Sequence, residues 1–407
     1  MAVGLSDKLP PLHAVGGVRI GATAAGIRKS GRLDLVVVEI CPGTDCAAVF
    51  TRNAFCAAPV TLARRHLAAV RPRYLLINTG NANAGTGEAG LRGAEECCAA
   101  LAAHAGCDPA EVLPFSTGVI GEPLPVGRIV QGVPAALAAL RADGWAEAAR
   151  GIMTTDTVPK GVSRRVTLGG HAVAITGIAK GAGMIHPNMA TMLAFIATDA
   201  RVEPALLQRC LQQAVATTFN CITVDGDTST NDACVLLATG TAAAPALRSE
   251  SDERYPLLRD AIAEVCASLA QAIVRDAEGA TKFIAIEVCE GRDWEECRSV
   301  GFTVALSPLV KTAFFASDPN WGRILAAVGR SGLPAFDVDA VSIWLDEVCI
   351  VRHGGRAPDY TEERGRQVMQ RSEITIRIVL ARGLAQARVW TSDFSYDYVR
   401  INAEYRT

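Results

Sequence analysis

The chain is poor in the features that mark several large classes of protein. Aromatic residues make up only 5% of its 407 residues, and the sequence contains no run of the roughly 20 apolar residues that a membrane-spanning helix needs. Basic and acidic residues nearly balance, at 40 and 42, and no block of one sign stands out. We therefore expect neither a membrane protein nor an electrostatic surface for nucleic acid, and partners that are small molecules or proteins.

Cysteine is present, but not in the patterns that bind metals or form a disulfide framework. The 13 cysteines are an odd number, and they include no Cys-x-x-Cys pair and no histidine at ligand spacing. The adjacent Cys97 and Cys98 on a predicted helix are typical of small buried apolar side chains in a reducing compartment. The N-terminus has neither a secretory nor an organelle-targeting pattern, so the expected location is the cytoplasm.

Helical and strand-like segments alternate without a low-complexity linker. Predicted strands such as "RYLLINTG" and "EVLPFSTG" often follow one another through short turns, and Gly169-Gly170 suits a two-residue hairpin turn. "VSIWLDEVCIV" is interpreted as a strand, and the aromatic tail "DFSYDYVRINAEYRT" as a strand-like segment docked on the body. The pattern predicts a layered α+β fold with substantial antiparallel sheet.

One predicted strand runs into a Ser-Thr-Gly turn that contains Thr117 and Gly118. Backbone N–H groups freed at such a turn, with a hydroxyl beside them, can bind a developing oxyanion. Ser-Thr-Gly is also common turn chemistry, so a purely structural role stays open. The same holds for "NTGNANAGTG", residues 78–87, which could cradle an anion but lacks the Lys of a phosphate loop.

The segment "AKGAGMIHPNMAT" places Lys180 before a flexible Gly-Ala-Gly and ends at Thr191. A nucleophilic hydroxyl needs a base, and the sequence near Thr191 offers no Ser-His-Asp arrangement. A cut before Thr191 would put an α-amino group, with a reference pKa of about 7.7–8.0, on the same residue as the hydroxyl. The alternative is a threonine that bonds to backbone inside a strand.

A polar loop, "FNCITVDGDTSTND", carries Asp225, Asp227 and Ser229 at alternate positions. This spacing is similar to the nucleophile loop of haloacid-dehalogenase-type phosphatases, and its carboxylates could hold Mg²⁺. Asx and Ser/Thr side chains more commonly cap backbone groups in tight loops. A phosphatase would need Mg²⁺ and an intact chain, and a non-catalytic amino-acid-binding protein would form no covalent intermediate.

Five long blocks resemble the ornithine acetyltransferase family, the bifunctional glutamate N-acetyltransferases of arginine biosynthesis. The match runs over nearly the whole chain in the expected order, and its blocks, all between residues 180 and 407, read "KGAGMIHPNMATMLAFIATDA", "ITVDGDTSTNDA", "EGATKFI", "VKTAFFASDPNWGRILAAVGR" and "DYVRINAEYRT". The resemblance implies a precursor that cleaves itself between Ala190 and Thr191, giving an α chain of residues 1–190 and a β chain of residues 191–407. It also implies an αββα sandwich like that of N-terminal-nucleophile hydrolases, with different connectivity.

The same resemblance implies the roles of individual residues. Thr191 is the nucleophile that carries acetyl from N²-acetylornithine to glutamate, and Thr117 with Gly118 forms the oxyanion hole. The implied substrate-binding positions are Thr154, Lys180, Thr191, Glu278, Asn402 and Thr407. The adjacent Thr155 leaves the choice at Thr154 open by one residue. No metal or cofactor is expected, a heterotetramer of two α and two β chains is implied, and the use of acetyl-CoA as a second donor stays open.

Overall fold

The computed structural model describes residues 2–186 and 192–404. Ala190, Thr191 and Thr407, which carry several of the predictions above, lie outside the described residues. The strands are β1 Val18–Thr23, β2 Leu35–Ile40, β3 Asp45–Phe50, β4 Tyr74–Asn81, β5 Val112–Val119, β6 Lys160–Leu168, β7 His171–Lys180, β8 Leu193–Thr198, β9 Ala233–Ala238, β10 Phe283–Gly291, β11 Ser342–Leu345, β12 Val348–Arg352, β13 Gly355–Arg356, β14 Glu373–Val379 and β15 Ala385–Ser392. The α-helices are α1 Ala58–Ala69, α2 Gly87–Ala105, α3 Val126–Ala138, α4 Trp145–Gly151, α5 Pro204–Thr217, α6 Tyr255–Arg275, α7 Trp294–Ala305, α8 Pro308–Phe315, α9 Trp321–Gly329, α10 Glu362–Met369 and α11 Tyr396–Glu404.

The strands form three sheets. Their orders are β1-β2-β4-β5, β3-β9-β8-β7-β6 and β13-β12-β11-β14-β10-β15. Only three of these strand pairings are parallel, β4 with β5, β8 with β9 and β10 with β14, which confirms the predicted antiparallel character. Gly169 and Gly170 both have positive φ in the β6–β7 hairpin, as a two-residue turn of this kind requires.

The first two sheets pack face to face between two helical layers. Val36 and Val38 of β2 face the second sheet, whereas Leu35 and Val37 face α2 and α3 on the other side. Burial on both faces explains why β2 is apolar throughout rather than alternating. Helices α5 and α6 cover the outer face of the second sheet. The αββα sandwich expected from the sequence is therefore confirmed.

The third sheet has a hydrophobic core of its own, formed with α7, α8, α9 and α10. The spacing of apolar residues in the sequence did not indicate that this sheet and its helices form a unit distinct from the sandwich. Within it, the predicted strand "VSIWLDEVCIV" is two strands, β11 and β12, joined by a turn at Asp346, whose φ is +47°. The prediction of one strand was wrong because the Asp-Glu pair is turn chemistry that interrupts the apolar pattern.

The C-terminal segment is a helix, so the prediction of a strand-like tail was wrong. Ser395 Oγ accepts a hydrogen bond from the Tyr398 N–H at 3.3 Å, which is the geometry of an N-terminal helix cap. The predicted docking is confirmed, since Ser395 also donates to the Gly279 carbonyl at 2.6 Å and the rings of Phe394 and Tyr398 stack at 4.8 Å. The aromatic residues favour a strand, but the cap formed by Ser395 stabilises the first turn of a helix instead.

The composition predicts neither a membrane-spanning helix nor a disulfide framework. Within the described ranges, 2–186 and 192–404, no helix is long and apolar enough to cross a bilayer. All 13 cysteines are free thiols, and Cys97 and Cys98 are buried in the core beside α3. Burial raises the pKa of Cys97 to about 12, with a smaller contribution from Glu96, as expected of an inert apolar side chain.

Candidate active site

Six of the sequence-predicted site residues line one cavity of about 250 Å³. They are Thr117, Gly118, Thr154, Lys180, Glu278 and Asn402. They come from β5, the segment after α4, β7, the segment after α6, and α11, so the fold gathers them from distant parts of the chain. Thr155 lines the cavity as well, and the choice between it and Thr154 therefore stays open. Met192, the residue after Thr191 in the chain, is a further lining residue.

Gly118 is required where β5 passes close to β4. Its φ is +135°, and an added Cβ would lie 2.3 Å from the Gly80 carbonyl carbon and 2.6 Å from the Asn81 nitrogen. The β4–β5 register shifts at these positions, which interrupts the regular ladder. A side chain at position 118 would push the strands apart, so glycine lets the backbone itself form this wall of the cavity.

The Thr117 hydroxyl is set up as a hydrogen-bond donor. Lys180 Nζ lies 3.2 Å from Thr117 Oγ1, and an ammonium group can only donate. The hydroxyl therefore accepts from Lys180 and keeps its own hydrogen for another acceptor. Thr117 is only 8% exposed, which strengthens its interaction with any negative oxygen in the cavity.

Charged groups of both signs surround Lys180. Burial lowers the pKa of Lys180, and the neighbouring Lys160 lowers it further, whereas Asp156, Asp232 and Glu278 act in the opposite direction. The neighbouring carboxyl groups thus offset part of the cost that burial imposes on the charged form of Lys180.

A buried ionic trio that sequence reasoning missed supports this region. Lys160 Nζ donates to Asp156 Oδ1 and to Asp276 Oδ2, both at 2.6 Å, and all three side chains are fully or almost fully buried. Asp156 also accepts from the backbone N–H groups of Thr154, at 3.0 Å, and Gly181, at 2.8 Å. Burial alone would raise the pKa of Asp156, but Lys160, Lys180 and the Gly181 N–H hold it well below its usual value. One carboxylate therefore fixes the chain beside two predicted substrate positions.

Glu278 and Asn402 contact each other in the lining of the cavity. Asn402 Nδ2 donates to Glu278 Oε2 at 2.8 Å and to the Tyr398 carbonyl at 3.0 Å. Gly183 makes room for this carboxylate, because an added Cβ there would lie 2.4 Å from Glu278 Oε2. The buried carboxylate is a suitable partner for an ammonium group.

The asparagines of "NTGNANAGTG" and "STND" are structural. Asn231 Nδ2 donates to the carbonyls of Ala82, at 2.6 Å, and Ser116, at 3.0 Å. Ser116 Oγ donates to Asn78 Oδ1 at 2.5 Å. This buried network ties β4, β5 and the loop before β9 together directly behind Thr117. It supports the turn interpretation of residues 78–87 over an anion cradle.

Asp225 caps backbone groups, as the second interpretation of its loop expects. Its two carboxylate oxygens accept from the Met184 N–H at 2.6 Å and the Ile185 N–H at 2.9 Å. Among the described residues there is no cluster of side chains that could hold a metal ion. With both oxygens accepting backbone hydrogen bonds, Asp225 caps the loop and is not disposed as a phosphatase nucleophile.

Asp232 is a buried carboxyl group that the sequence did not single out. It lines the cavity and is 2% exposed, and it accepts from the Ser229 hydroxyl and the Met192 N–H. Its Oδ2 atom has no hydrogen-bond partner in the part of the chain that the structure describes. Burial raises the pKa of Asp232 well above its usual value, because the charged carboxylate is harder to accommodate away from water.

Known proteins share this sequence over most of its length. The model of the ArgJ family matches residues 19–407. The arginine biosynthesis bifunctional protein ArgJ of Pseudomonas fluorescens is 56% identical over 407 residues, which is the whole of both chains. Its counterpart in Methylococcus capsulatus is 60% identical over 396 residues, 97% of each chain.

Among solved structures, the arginine biosynthesis bifunctional protein of Bacillus halodurans is 36% identical, with a TM-score of 0.51 over 52% of this chain and 99% of that one. The chain therefore belongs to the ArgJ family, the ornithine acetyltransferases that its sequence blocks resemble.

Proposed function

We propose that the protein moves acetyl from N²-acetylornithine to glutamate, with Thr191 carrying the acetyl group between them. The observation that carries the proposal is the Lys180–Thr117 hydrogen bond beside Gly118, in a cavity that Met192 also lines. Met192 is bonded to Thr191, and the cavity offers donors suited to an oxyanion. The Pseudomonas fluorescens and Methylococcus capsulatus relatives, both arginine biosynthesis bifunctional proteins, cover 100% and 97% of the chain, which supports the same pathway.

The nucleophile arises by self-cleavage in this scheme. Thr191 Oγ attacks the Ala190 carbonyl, an ester replaces the amide, and water then releases chains of 190 and 217 residues, together the 407 of the precursor. The solved Bacillus halodurans chain covers 52% of this one, a share close to that of the 217-residue product. These two products are the proposed α and β chains, 1–190 and 191–407.

Acetyl transfer then follows in two steps. Thr191 Oγ attacks the acetyl carbonyl, the α-amine of Thr191 takes the hydroxyl proton, and the Thr117 hydroxyl and Gly118 N–H hold the oxyanion. The C–N bond breaks and ornithine leaves with that proton on its amine. The α-amine of glutamate attacks the acetyl ester, and its lost proton returns the Thr191 hydroxyl, which gives a ping-pong cycle.

The remaining positions are assigned to substrate recognition. Lys180 suits a substrate carboxylate, and Glu278, together with the terminal carboxylate of Thr407, suits an ammonium group. Thr154 and Asn402 complete the proposed binding set. A bifunctional enzyme would also accept acetyl-CoA as donor, and we place it in the cytoplasm as a heterotetramer of two α and two β chains.

Intact-mass spectrometry of the purified protein tests the scheme. Two chains whose masses sum to the precursor plus one water are expected, and acetylornithine alone should add one acetyl group to the 217-residue chain, which glutamate should then remove. Thr191→Ala should remain a single inactive chain. An active enzyme that stays uncleaved, or acetyl label confined to the 190-residue chain, would rule the mechanism out.

A further inference from the structure

The self-cleavage step needs a proton carrier that the acetyl-transfer cycle does not need. In that cycle the α-amine of Thr191 takes the hydroxyl proton, but before cleavage the same nitrogen belongs to the Ala190–Thr191 amide and is not basic. The hydroxyl must lose a proton as it attacks, and the departing amide nitrogen must gain one. Another group in the precursor therefore has to move this proton.

Among the described residues, the ionisable side chains that line the cavity are Lys180, Asp232 and Glu278. Lys180 Nζ donates to Thr117 Oγ1 at 3.2 Å, and the Glu278 carboxylate accepts from Asn402 at 2.8 Å. Asp232 differs from both, because its Oδ2 atom has no hydrogen-bond partner in the described part of the chain although the residue is only 2% exposed. One buried oxygen of Asp232 is therefore available for a proton.

The strand register brings Asp232 beside the cleavage point. β8 and β9 run parallel with Leu193 opposite Ala233, so the residues that precede them, Met192 and Asp232, are also neighbours. The Ala233 N–H donates to the Met192 carbonyl at 3.0 Å, and the Met192 N–H donates to the carboxyl group of Asp232. Only a few covalent bonds separate that N–H from the nitrogen and the Oγ atom of Thr191. The Asp232 carboxyl group is therefore held next to the residue whose amide is cut.

Other basic groups nearby are engaged outside the cavity. His186 precedes the cleavage point by a few residues, but its Nδ1 lies 3.3 Å from Thr223 Oγ1 and its ring packs edge-on against Phe302 at 5.2 Å. On the β3 side, the guanidinium of Arg64 donates to the Thr51 carbonyl. Neither His186 nor Arg64 belongs to the cavity lining.

We propose that the Asp232 carboxylate carries the proton of self-cleavage. It takes the proton from the Thr191 hydroxyl as Oγ bonds to the Ala190 carbonyl carbon, and it gives that proton to the Thr191 nitrogen as the C–N bond breaks. The products are an ester and an amine, the carboxylate is restored, and no other reagent is consumed before water hydrolyses the ester. This inference rests on the proposed function, because it assumes that the Thr191 hydroxyl attacks Ala190.

The surroundings of Asp232 make it a stronger base than an ordinary carboxylate. Burial raises the pKa of Asp232, whereas the Ser229 hydroxyl, Lys180 and the Met192 N–H act in the opposite direction. A general base is most effective when its pKa lies close to the working pH. Cleavage should therefore become faster as pH rises through the pKa of Asp232 and should then level off.

The test follows precursor that is made by cell-free translation, shifted to buffers of different pH and sampled by intact mass. Asp232→Asn keeps the size of the side chain but cannot accept the proton, so cleavage should slow roughly 10²–10⁴-fold and lose its rise with pH. Ser229→Ala removes a hydrogen bond to the charged carboxylate, so the midpoint of the profile should move by roughly one unit to higher pH while the plateau remains. Asp227→Asn, at an exposed carboxylate on the same loop, is the matched control and should change neither rate nor midpoint.

Each outcome decides between distinct conclusions. A wild-type rate and profile in Asp232→Asn would overturn Asp232 as the carrier and leave the proposed function standing. Slow cleavage that still follows the wild-type pH profile would reduce its role to a structural one, and a flat profile in His186→Gln alone would move the role to His186. If Asp232→Asn does not fold, an unshifted midpoint in Ser229→Ala refutes the proposal. Cleavage of Thr191→Ala at the same bond would instead refute the proposed function itself.

Discussion

At the scale of single residues, the cavity combines groups whose hydrogen-bonding state is set by their neighbours. Lys180 forces the Thr117 hydroxyl to accept, so its hydrogen faces any oxyanion that forms. Close approach of β4 forces glycine at 118, which lets the backbone itself line the cavity. Burial raises the pKa of Asp232 beside the Met192 N–H. Each state follows from a contact made across the fold, and each can be tested by a single substitution.

Thr117→Ala removes one preorganised donor and should lower kcat by roughly 10²–10³-fold. Turnover of acetylornithine and glutamate is the measurement, on protein whose cleavage has been verified by mass. Thr117→Ser keeps the hydroxyl and should retain most of the activity. Unchanged turnover in fully cleaved Thr117→Ala protein would disprove the oxyanion role.

Asp232 should make stability depend on pH in a defined direction. In the unfolded chain its carboxyl group ionises near pH 4, whereas the folded protein raises that pKa. The contribution of Asp232 to the free energy of unfolding is therefore fully present below pH 4. It is lost as pH rises from there toward the raised pKa, by at most about 1.4 kcal/mol per pH unit. Asp232→Asn cannot titrate and should lose this slope.

Urea unfolding between pH 4 and pH 8, in the uncleaved Thr191→Ala background, measures the difference between these two proteins. The exposed Asp143→Asn serves as control and should leave the slope in place. Parallel pH profiles for Asp232→Asn and its parent would show that Asp232 is ionised in the folded protein.

At the scale of elements, one buried ion trio joins three segments that meet behind the site. Lys160 begins β6, Asp156 lies in the preceding segment, and Asp276 caps the end of α6. Thr157 strengthens the junction, since its N–H and hydroxyl both donate to Asp276. The position of the Thr154 N–H therefore depends on the packing of α6 against the second sheet.

Lys160→Met should lower the free energy of unfolding by about 3–5 kcal/mol, because it leaves two buried carboxylates without their counter-charge. Urea denaturation of the uncleaved Thr191→Ala protein provides the measurement. Lys8→Met, at an exposed lysine, should change the value by less than about 0.5 kcal/mol. A similarly small change for Lys160→Met would mean that the carboxylates are neutralised in another way.

The docked helix α11 should contribute to substrate binding through Asn402. Asn402→Ala removes the hydrogen bond that holds the Glu278 carboxylate, and the KM for acetylornithine should rise roughly 10-fold. Val399→Ala changes an exposed side chain on the same helix and should have no effect. Equal kinetics for the two variants would assign α11 a purely structural role.

At the scale of the whole molecule, the proposed cleavage cuts the chain inside a sheet that both products build. The second sheet takes β3, β6 and β7 from residues before the cut and β8 and β9 from residues after it. β7 pairs with β8 over six residue pairs, and β3 with β9 over six more. The core between the first two sheets likewise draws on both sides of the cut. Covalent cleavage therefore leaves the packing in place.

The two chains should consequently remain together under native conditions. Size-exclusion chromatography should give one peak that contains the 190- and 217-residue chains in equal amounts, at the same volume as uncleaved Thr191→Ala. Separation should require denaturant, since it exposes the shared core to water. Elution of free 190-residue chain from a native column would contradict the interleaved fold.

The sequence by itself determined the features that depend on local chemistry. Apolar periodicity set β2, β4 and β5, paired glycines set the β6–β7 turn, and long ordered blocks identified the family and the residues that line the cavity. These features can be predicted from the sequence because strand propensity, turn geometry and motif spacing each depend on a few neighbouring residues.

Only the tertiary structure decided the features that arise from contacts between distant residues. Lys160 and Asp276 are 116 positions apart, and nothing in either neighbourhood indicates that they meet. The same holds for the hydrogen bond between Asn231 and the Ser116 carbonyl, which spans 115 positions. Burial turns these side chains into partners by removing water as the competing hydrogen-bond partner, and burial is a property of the packed chain rather than of any short segment.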